Sequence, residues 1–375
     1  MSAVRYNPSD KRSTSVDREY ALRYGDAVGD TGIPPRREIP LDALADWLED
    51  REVAVVRPLE ATLIAGGRSN LTFVVTGADG VKVVLRRPPY DEVLATAHDM
   101  NREWRFLAAL HGTDVPTARP VACDAAGDLL GAPFYVMSFV DGAVAHDARC
   151  AAELPVEARR TLAGQLIDVM AALHRVDVEA AGLSEIARHD AYIERQLKRW
   201  KRQWDQSVCA DSKVVEQAYQ MLARDVPPQA RTGIVHGDLR LGNVICDPAG
   251  SIVAVLDWEL ATLGDPLADL GWLLSSWMEP GEAPPFLDES QVPPSVLDGF
   301  PSRQWLAHRY GELSGADLSR LPFYLAFANW RSACISAGVL TRYQTGAMGD
   351  DGFDFRPLRA AVEARAAAAV ALLSD

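Results

Sequence analysis

The sequence predicts an α+β protein of two unequal halves, a small one with an antiparallel sheet and one helix, then a larger, mainly helical one. Three observations carry this. Between Val53 and Pro89 the chain runs through short Val-, Thr- and Leu-rich stretches punctuated by Gly-Gly and Ala-Asp-Gly, the pattern of strands joined by turns. From residue 157 onward apolar residues recur at helical spacing over long stretches. That helical region is interrupted once, by the β-rich GIVHGDLRLGNVICDPAGSIVAVLDWE.

Taken in order, residues 1–38 are polar and charged and are expected to form an extension with little fixed structure. LDALADWLED, from Leu41 to Asp50 just after Pro40, has the apolar spacing of a short helix. Two or three antiparallel strands follow. In HDMNREWRFLAALHG, Met100, Trp104, Leu107 and Leu110 share one helical face, and Gly112 ends it. PFYVMSFVDG, from Pro133 to Gly142, is a strand by its aromatic and β-branched content, and a linker at 138–143 separates the halves. The expected division is 39–140 for the small, nucleotide-binding half and 141–375 for the large one. Helices are expected over 157–175, 189–206, 213–223, 303–313, 318–340 and 357–373. A cleft between the halves is the default place for a site.

The chain has 375 residues, 48% hydrophobic and 24% charged, which is enough apolar material for more than one core. Its net charge of -14 disfavours nucleic acid or an anionic membrane as partner, because both demand a positive footprint. Five scattered cysteines, none in a C-x-x-C pair, argue against disulfides and a cysteine zinc site. No apolar run has membrane-spanning length, and MSAVRYNPSDKRSTSVDREY lacks the apolar core of a secretory signal, so a cytoplasmic location is expected.

The most informative stretch is His236-Gly-Asp238-Leu-Arg240-Leu-Gly-Asn243. Cys246-Asp-Pro-Ala-Gly-Ser then forms a hairpin turn between two apolar strands, and the second strand ends at Asp257. A hairpin brings Asn243 and Asp257 toward the same end of the ribbon. One carboxamide and one carboxylate are hard-oxygen ligands for Mg²⁺, with substrate phosphates completing the shell. Asp238 can point into the same space and take the proton of an attacking hydroxyl. A lone H-G-D or a lone Asn at a hairpin start is a structural feature more often than a catalytic one, but the four positions together reverse those odds.

H-x-D-L-x-x-x-N with an Asp after a hairpin resembles the kinase catalytic loop. The variant H-G-D, with D-W-E at the metal-binding Asp and GDPLADLGW after it, resembles the aminoglycoside phosphotransferase family, closely over 233–272 and more weakly over 55–340. The resemblance implies a bilobed protein-kinase-like fold, ATP (or GTP) and Mg²⁺ as cofactors, and transfer of the γ-phosphate to a small-molecule hydroxyl. It implies Asp238 as base, His236 and Arg240 as loop and charge-stabilising residues, and Asn243 and Asp257 on the metal.

The resemblance also demands three nucleotide-binding parts in the first half. Gly66, Gly67, Ser69 and Asn70 in IAGGRSNLTF stand where a turn would cover the phosphates, with Ser69 or Asn70 as donors. Among Lys82, Arg86 and Arg87, the alignment of VVLR with V-A-I-K puts Arg86 at the phosphate-gripping lysine, a departure that keeps the charge. Arg87 is equally readable as a solvated strand end. Glu103 is the helix carboxylate bracing that base, and Ser138, Phe139 and Val140 supply backbone groups for adenine.

His236 has the character of a bracing residue rather than a base, and Arg240 divides between a phosphate and a surface role. Asp265 and Asp269 in GDPLADL cap the next helix and tie down loop amides. No peptide-holding activation segment follows Asp257, so the helices after residue 270 are expected to form an acceptor pocket. Trp272, Trp277, Phe323, Tyr324, Trp330 and Arg331 are its candidate linings, with Arg331 suited to an anionic acceptor. Asp350, Asp351 and Asp354 are the acids available for a cationic one. The acceptor classes are an aminoglycoside-like sugar, an amino alcohol or a hydroxylated metabolite such as a hydroxyacyl thioester. Two rival readings are a nucleotide-binding pseudo-kinase regulator without turnover and a metallohydrolase, the latter without a second histidine cluster.

Overall fold

The computed structural model describes residues 39–65, 70–89, 99–282, 292–347 and 353–374. The chain divides into two compact units, Met1–Ala108 with Ala118–Ala143, and Ala109–Thr117 with Val144–Asp375. Residues 109–117, expected in the first half, belong with the second for a physical reason: the Val255 amide donates to the Pro116 carbonyl at 2.8 Å, and Thr117 bridges Val255.

In the first unit, helix α1 (Leu41–Glu49) precedes strands β1 (Glu60–Ala65), β2 (Leu71–Thr76) and β3 (Lys82–Arg87). Helix α2 (Met100–Leu110) follows, then β4 (Pro120–Asp124) and β5 (Phe134–Ser138). The sheet order is β1-β2-β3-β5-β4, with every neighbouring pair antiparallel. Side chains alternate across a strand, and β5 shows it. Phe134 and Val136 join Leu44, Ala45 and Leu48 of α1 in one core, while Tyr135 and Met137 pack with Met100, Trp104 and Leu107 of α2. The sheet is therefore covered on both faces. Truncating a fully buried residue such as Leu48 to Ala is expected to cost about 2–5 kcal/mol. Strand β4 is absent from the sequence expectations. It begins with a proline, tolerated as the first residue of an edge strand, and holds little β-branched content.

The second unit begins with a short helix α3 (Ala148–Ala152) and continues with α4 (Val156–Arg175), α5 (Tyr192–Asp205) and α6 (Lys213–Arg224). Four short strands follow: β6 (Gly233–Val235), β7 (Val244–Cys246), β8 (Ile252–Val255) and β9 (Thr262–Gly264). Among the described residues the α-helices that follow are α7 (Leu267–Ser276), α8 (Arg303–Ser314), α9 (Leu321–Gln344) and α10 (Leu358–Ser374). The long α9 is buried over most of its length and packs against α5, α6, α7 and α10. β6 pairs with β9, and β7 with β8, both antiparallel. These pairs place the informative residues just off strand ends: His236 after β6, Asn243 before β7, Asp257 soon after β8 and Asp265 after β9. A rigid strand frame presenting loop residues is the usual way to fix a reactive geometry. Among the described residues no helix is long and apolar enough to cross a membrane.

Candidate active site

In the first unit the chemistry centres on Glu103. The β2–β3–β5 register puts Thr72 and Tyr135 on either side of Arg86. Arg86 Nε lies 3.1 Å from Glu103 Oε2, and the Tyr135 hydroxyl donates to the same oxygen at 2.9 Å. Asn70 Nδ2 donates to Glu103 Oε1 at 2.6 Å. The carboxylate, only 2% exposed, thus meets one cation and two neutral donors. That is the satisfaction a buried charge requires.

This geometry joins Arg86 to Glu103 as the sequence suggests, and it corrects three other expectations. The Asn70 carboxamide, expected to donate to phosphate, is buried and turned onto Glu103. Arg87 is no solvated strand end: it is buried, and its Nε donates to the Pro88 carbonyl. Ser138, one of three residues whose backbone is expected at adenine, has its amide already donating to the Arg119 carbonyl, and its hydroxyl accepts from the Arg119 amide, both at 2.9 Å. Phe139 and Val140 lie past the end of β5, and Lys82 places its ammonium over the Phe139 ring. Gly66, Gly67 and Ser69 lie outside the described residues.

In the second unit the His-Gly-Asp loop is tied down from several sides. Gly237 has φ +86°, the left-handed region that glycine enters without steric cost, and an added Cβ would sit 2.9 Å from Leu260 Cβ. His236 is fully buried. Its Nε2 lies 2.9 Å from the Leu256 carbonyl and its Nδ1 accepts from the Asp238 amide at 3.2 Å, so the neutral Nε2–H tautomer satisfies both bonds. With both nitrogens committed to backbone groups, His236 holds the loop and does not reach a substrate.

Asp269, near the start of α7, accepts from the His236 amide at 2.7 Å and the Gly237 amide at 2.8 Å, with His174 Nε2 at 3.2 Å. Burial by itself would raise this carboxyl, but His174 and the loop amides outweigh it and hold the group below the ordinary carboxylate range. Asp265 caps α7 through the Leu267 amide at 3.1 Å and accepts from the Tyr324 hydroxyl at 2.6 Å. There burial dominates and pushes the carboxyl up, against both hydrogen bonds.

Asp238 is the acid these braces present, 23% exposed. Its Oδ1 accepts from the Trp272 indole at 2.8 Å. Its Oδ2 accepts from Asn243 Nδ2 at 2.9 Å and, more distantly, from Arg240 Nε at 3.3 Å. Asn243 Nδ2 also donates to the Asp238 carbonyl at 2.8 Å. The Asn243 carbonyl accepts from the Leu256 amide at 2.8 Å, so the hairpin sets Asn243 one residue from Asp257 across the ribbon. Asp257 adopts φ 65°, ψ 67°, a left-handed conformation that costs a non-glycine residue about 1 kcal/mol or more, the kind of strain that concentrates at working sites. Asp238, Arg240, Asn243 and Asp257 are thus brought together as the motif requires. Arg240 folds back over Gly242, where an added Cβ would collide with its guanidinium.

Two of the six candidate pocket residues touch this loop. Trp272 binds Asp238, and Arg331 Nη2 donates to the Gly237 carbonyl at 3.0 Å, so Arg331 serves the loop where an anionic acceptor was expected. Trp277, Phe323, Tyr324 and Trp330 are buried core residues. Asp350 and Asp351 lie outside the described residues, and Asp354 pairs with Arg356 at the surface. The sequence offers Trp272 only as a pocket lining and not as a partner of Asp238. The available signal was its spacing three residues after Asp269, which puts both on one face of α7.

A sequence profile of the phosphotransferase enzyme family, APH, matches residues 60–294, more than half of the chain. The protein belongs to this family. A crystal structure of an inferred aminoglycoside phosphotransferase from Ralstonia eutropha is 30% identical, with a TM-score of 0.71, and the match covers 88% of this chain and 98% of that one. The GDP complex of aminoglycoside 2'-phosphotransferase-IIIa, 17% identical with a TM-score of 0.60 over 88% of this chain and 99% of that one, shares the fold. The mouse acyl-CoA dehydrogenase family member 10 is 32% identical over 313 residues, 82% of this chain. The chain spans only 29% of that protein's length. Membership in the family bears out the kinase-like fold.

Proposed function

We propose that the protein transfers the γ-phosphoryl group of ATP, with Mg²⁺, to a hydroxyl of a small molecule. The observation that carries this reading is the Asp238 carboxylate, part-exposed and held by Trp272 and Asn243, with Asn243 pinned one residue from the strained Asp257. Asn243 spends its carboxamide nitrogen on Asp238, so its oxygen is the end left for a cation. Together with the Asp257 carboxylate this makes two hard oxygen donors, a set that fits an ion keeping waters and phosphates as its other ligands. Bound there, the ion supplies charge neutralisation on the nucleotide phosphates.

The work of this chain's own residues follows. Asp238 accepts a hydrogen bond from the acceptor hydroxyl and orients its oxygen toward the γ-phosphorus. As the new O–P bond forms and the bond to the β–γ bridging oxygen breaks, Asp238 takes the hydroxyl proton and the nucleoside diphosphate leaves. Arg240, 44% exposed and only loosely paired with Asp238, is free to turn onto transferring phosphate oxygens. Arg86, braced by Glu103, supplies the fixed cation for the α/β-phosphates, and an arginine there grips phosphate in a two-pronged fashion.

Among the acceptor classes we favour a hydroxylated metabolite such as a hydroxyacyl thioester, because the mouse relative and the chicken acyl-CoA dehydrogenase family member 11 both carry acyl-CoA names. The test is a nucleoside diphosphate release assay with Mg-ATP or Mg-GTP against an amino sugar, an amino alcohol and a hydroxyacyl-CoA, with the product identified by mass spectrometry. Acceptor-dependent release with the hydroxyacyl-CoA is expected. Turnover of the amino sugar alone reassigns the acceptor, and nucleotide binding without turnover on any class supports the regulator reading.

A further inference from the structure

We infer that Trp272 is a positioning residue for proton transfer: its indole N–H fixes the orientation of the Asp238 carboxylate, and Arg331 holds the indole in place. The inference rests on the reading of Asp238 as proton acceptor. Helix α7 serves the loop twice. Asp269 grips the amides of His236 and Gly237, and three residues later Trp272 reaches Asp238 Oδ1 at 2.8 Å. Residues three apart lie side by side on a helix, so one rigid element sets both the loop backbone and the carboxylate on it.

The choice of donor matters. An indole N–H is neutral, donates only, and points in a direction set by its ring. It therefore fixes the direction of a carboxylate without adding a charge beside it. It also divides the labour of the two oxygens. Oδ1 is taken by Trp272, whereas Oδ2 accepts from Asn243 and from the exposed, loosely held Arg240, whose departure opens a lone pair to an acceptor hydroxyl.

Arg331 explains why the indole stays where it is. Its guanidinium lies 4.3 Å from the centre of the Trp272 ring and 5.5 Å from that of Trp200, while Nη2 donates to the Gly237 carbonyl. Arg331 is 6% exposed, and among the described residues no carboxylate lies within ion-pairing distance of it. A buried guanidinium without an acid is costly, and two ring faces with one carbonyl offset that only in part. The arrangement makes sense if the cation is needed as a clamp between loop backbone and indole.

The test uses the 375-residue chain with Mg-ATP and a hydroxyacyl-CoA as probe. Trp272→Phe keeps a ring for Arg331 and removes the N–H, so kcat is expected to fall about tenfold or more while the KM for ATP, the nucleotide Kd and the melting temperature stay close to wild type. Trp272→Tyr, which restores a donor, is expected to recover part of kcat. Arg331→Met is expected to lower kcat similarly, and the double variant with Trp272→Phe to be no worse than the poorer single one, as for two residues acting as a unit. Wild-type kcat in Trp272→Phe beside a dead Asp238→Asn overturns this inference alone. So does equal loss in the Phe and Tyr variants accompanied by weaker ATP binding, which marks a packing role. Retained turnover in Asp238→Asn overturns the base assignment and this inference together.

Discussion

Glu103 and Asp238 each have two neutral side-chain donors and an arginine close by, yet they are built for opposite ends. Glu103 is sealed, 2% exposed, and an ion-paired arginine 3.1 Å away balances its charge beside two neutral donors. Asp238 is open to solvent on one side, its closest donors are neutral, and its cation sits at a longer 3.3 Å on an exposed side chain. Asp269 sides with Glu103, locked onto two backbone amides and His174. The contrast separates acids that hold the structure from the acid that is left able to change partners. Replacing a sealed acid should cost stability, and replacing the open one should cost turnover.

The largest stability loss is expected at Asp269. Asp269→Ala strands two loop amides and a buried histidine, and a denaturant titration should show a loss of about 3 kcal/mol or more. A loss below about 1 kcal/mol would break the distinction. Glu103→Gln comes next. It can keep the Asn70 and Tyr135 bonds but leaves Arg86 without its countercharge, so a loss of about 2 kcal/mol is expected together with a weaker nucleotide complex by titration calorimetry.

A subtler difference is expected between Asp269 and Asp265. A carboxyl held low in the folded state stabilises the fold at pH values above its unfolded pKa, about 3.9, and that contribution is lost as pH falls through the lower folded value. For Asp265, raised in the fold, the sign reverses: the protonated form is favoured, and stability declines as pH rises from the unfolded value through the folded one. Melting temperatures between about pH 3 and pH 7 should therefore show Asp269→Asn weakened most at neutral pH, whereas Asp265→Asn is neutral or slightly stabilised there. The smallest effect is expected at Gly242, where Ala meets only the movable end of Arg240 and the His146 ring at 3.5 Å. Stability should change by less than about 1 kcal/mol, with a few-fold change in kcat if Arg240 acts on phosphate.

The motif residues were legible because their spacing fixes topology. H-G-D before a strand and D-W-E after a hairpin leave few ways to arrange Asp238, Asn243 and Asp257, and the β7–β8 register realises one of them. Helices with a clear apolar face, such as Met100–Leu110, were legible for the same reason of period. What stayed hidden is where short polar side chains turn. Asn70 is a plausible phosphate donor in sequence, but folding puts Glu103 within 2.6 Å of it, and a buried carboxylate outcompetes solvent for that amide. Arg87 was ambiguous because a basic residue at a strand end can face either way, and it is buried. Trp272 and Arg331 stand out in sequence as pocket linings, but an aromatic residue in an apolar helix carries no mark of what its N–H meets.

The most direct test of the central claim, that Asp238 is the proton acceptor of a phosphoryl transfer, is Asp238→Asn measured for both turnover and nucleotide binding. Asparagine can keep the contact to Trp272 while losing the basic oxygen. The account predicts a fall in kcat of about a thousandfold or more, with the Mg-ATP Kd within about threefold of wild type and stability unimpaired. Turnover within about tenfold of wild type would contradict it.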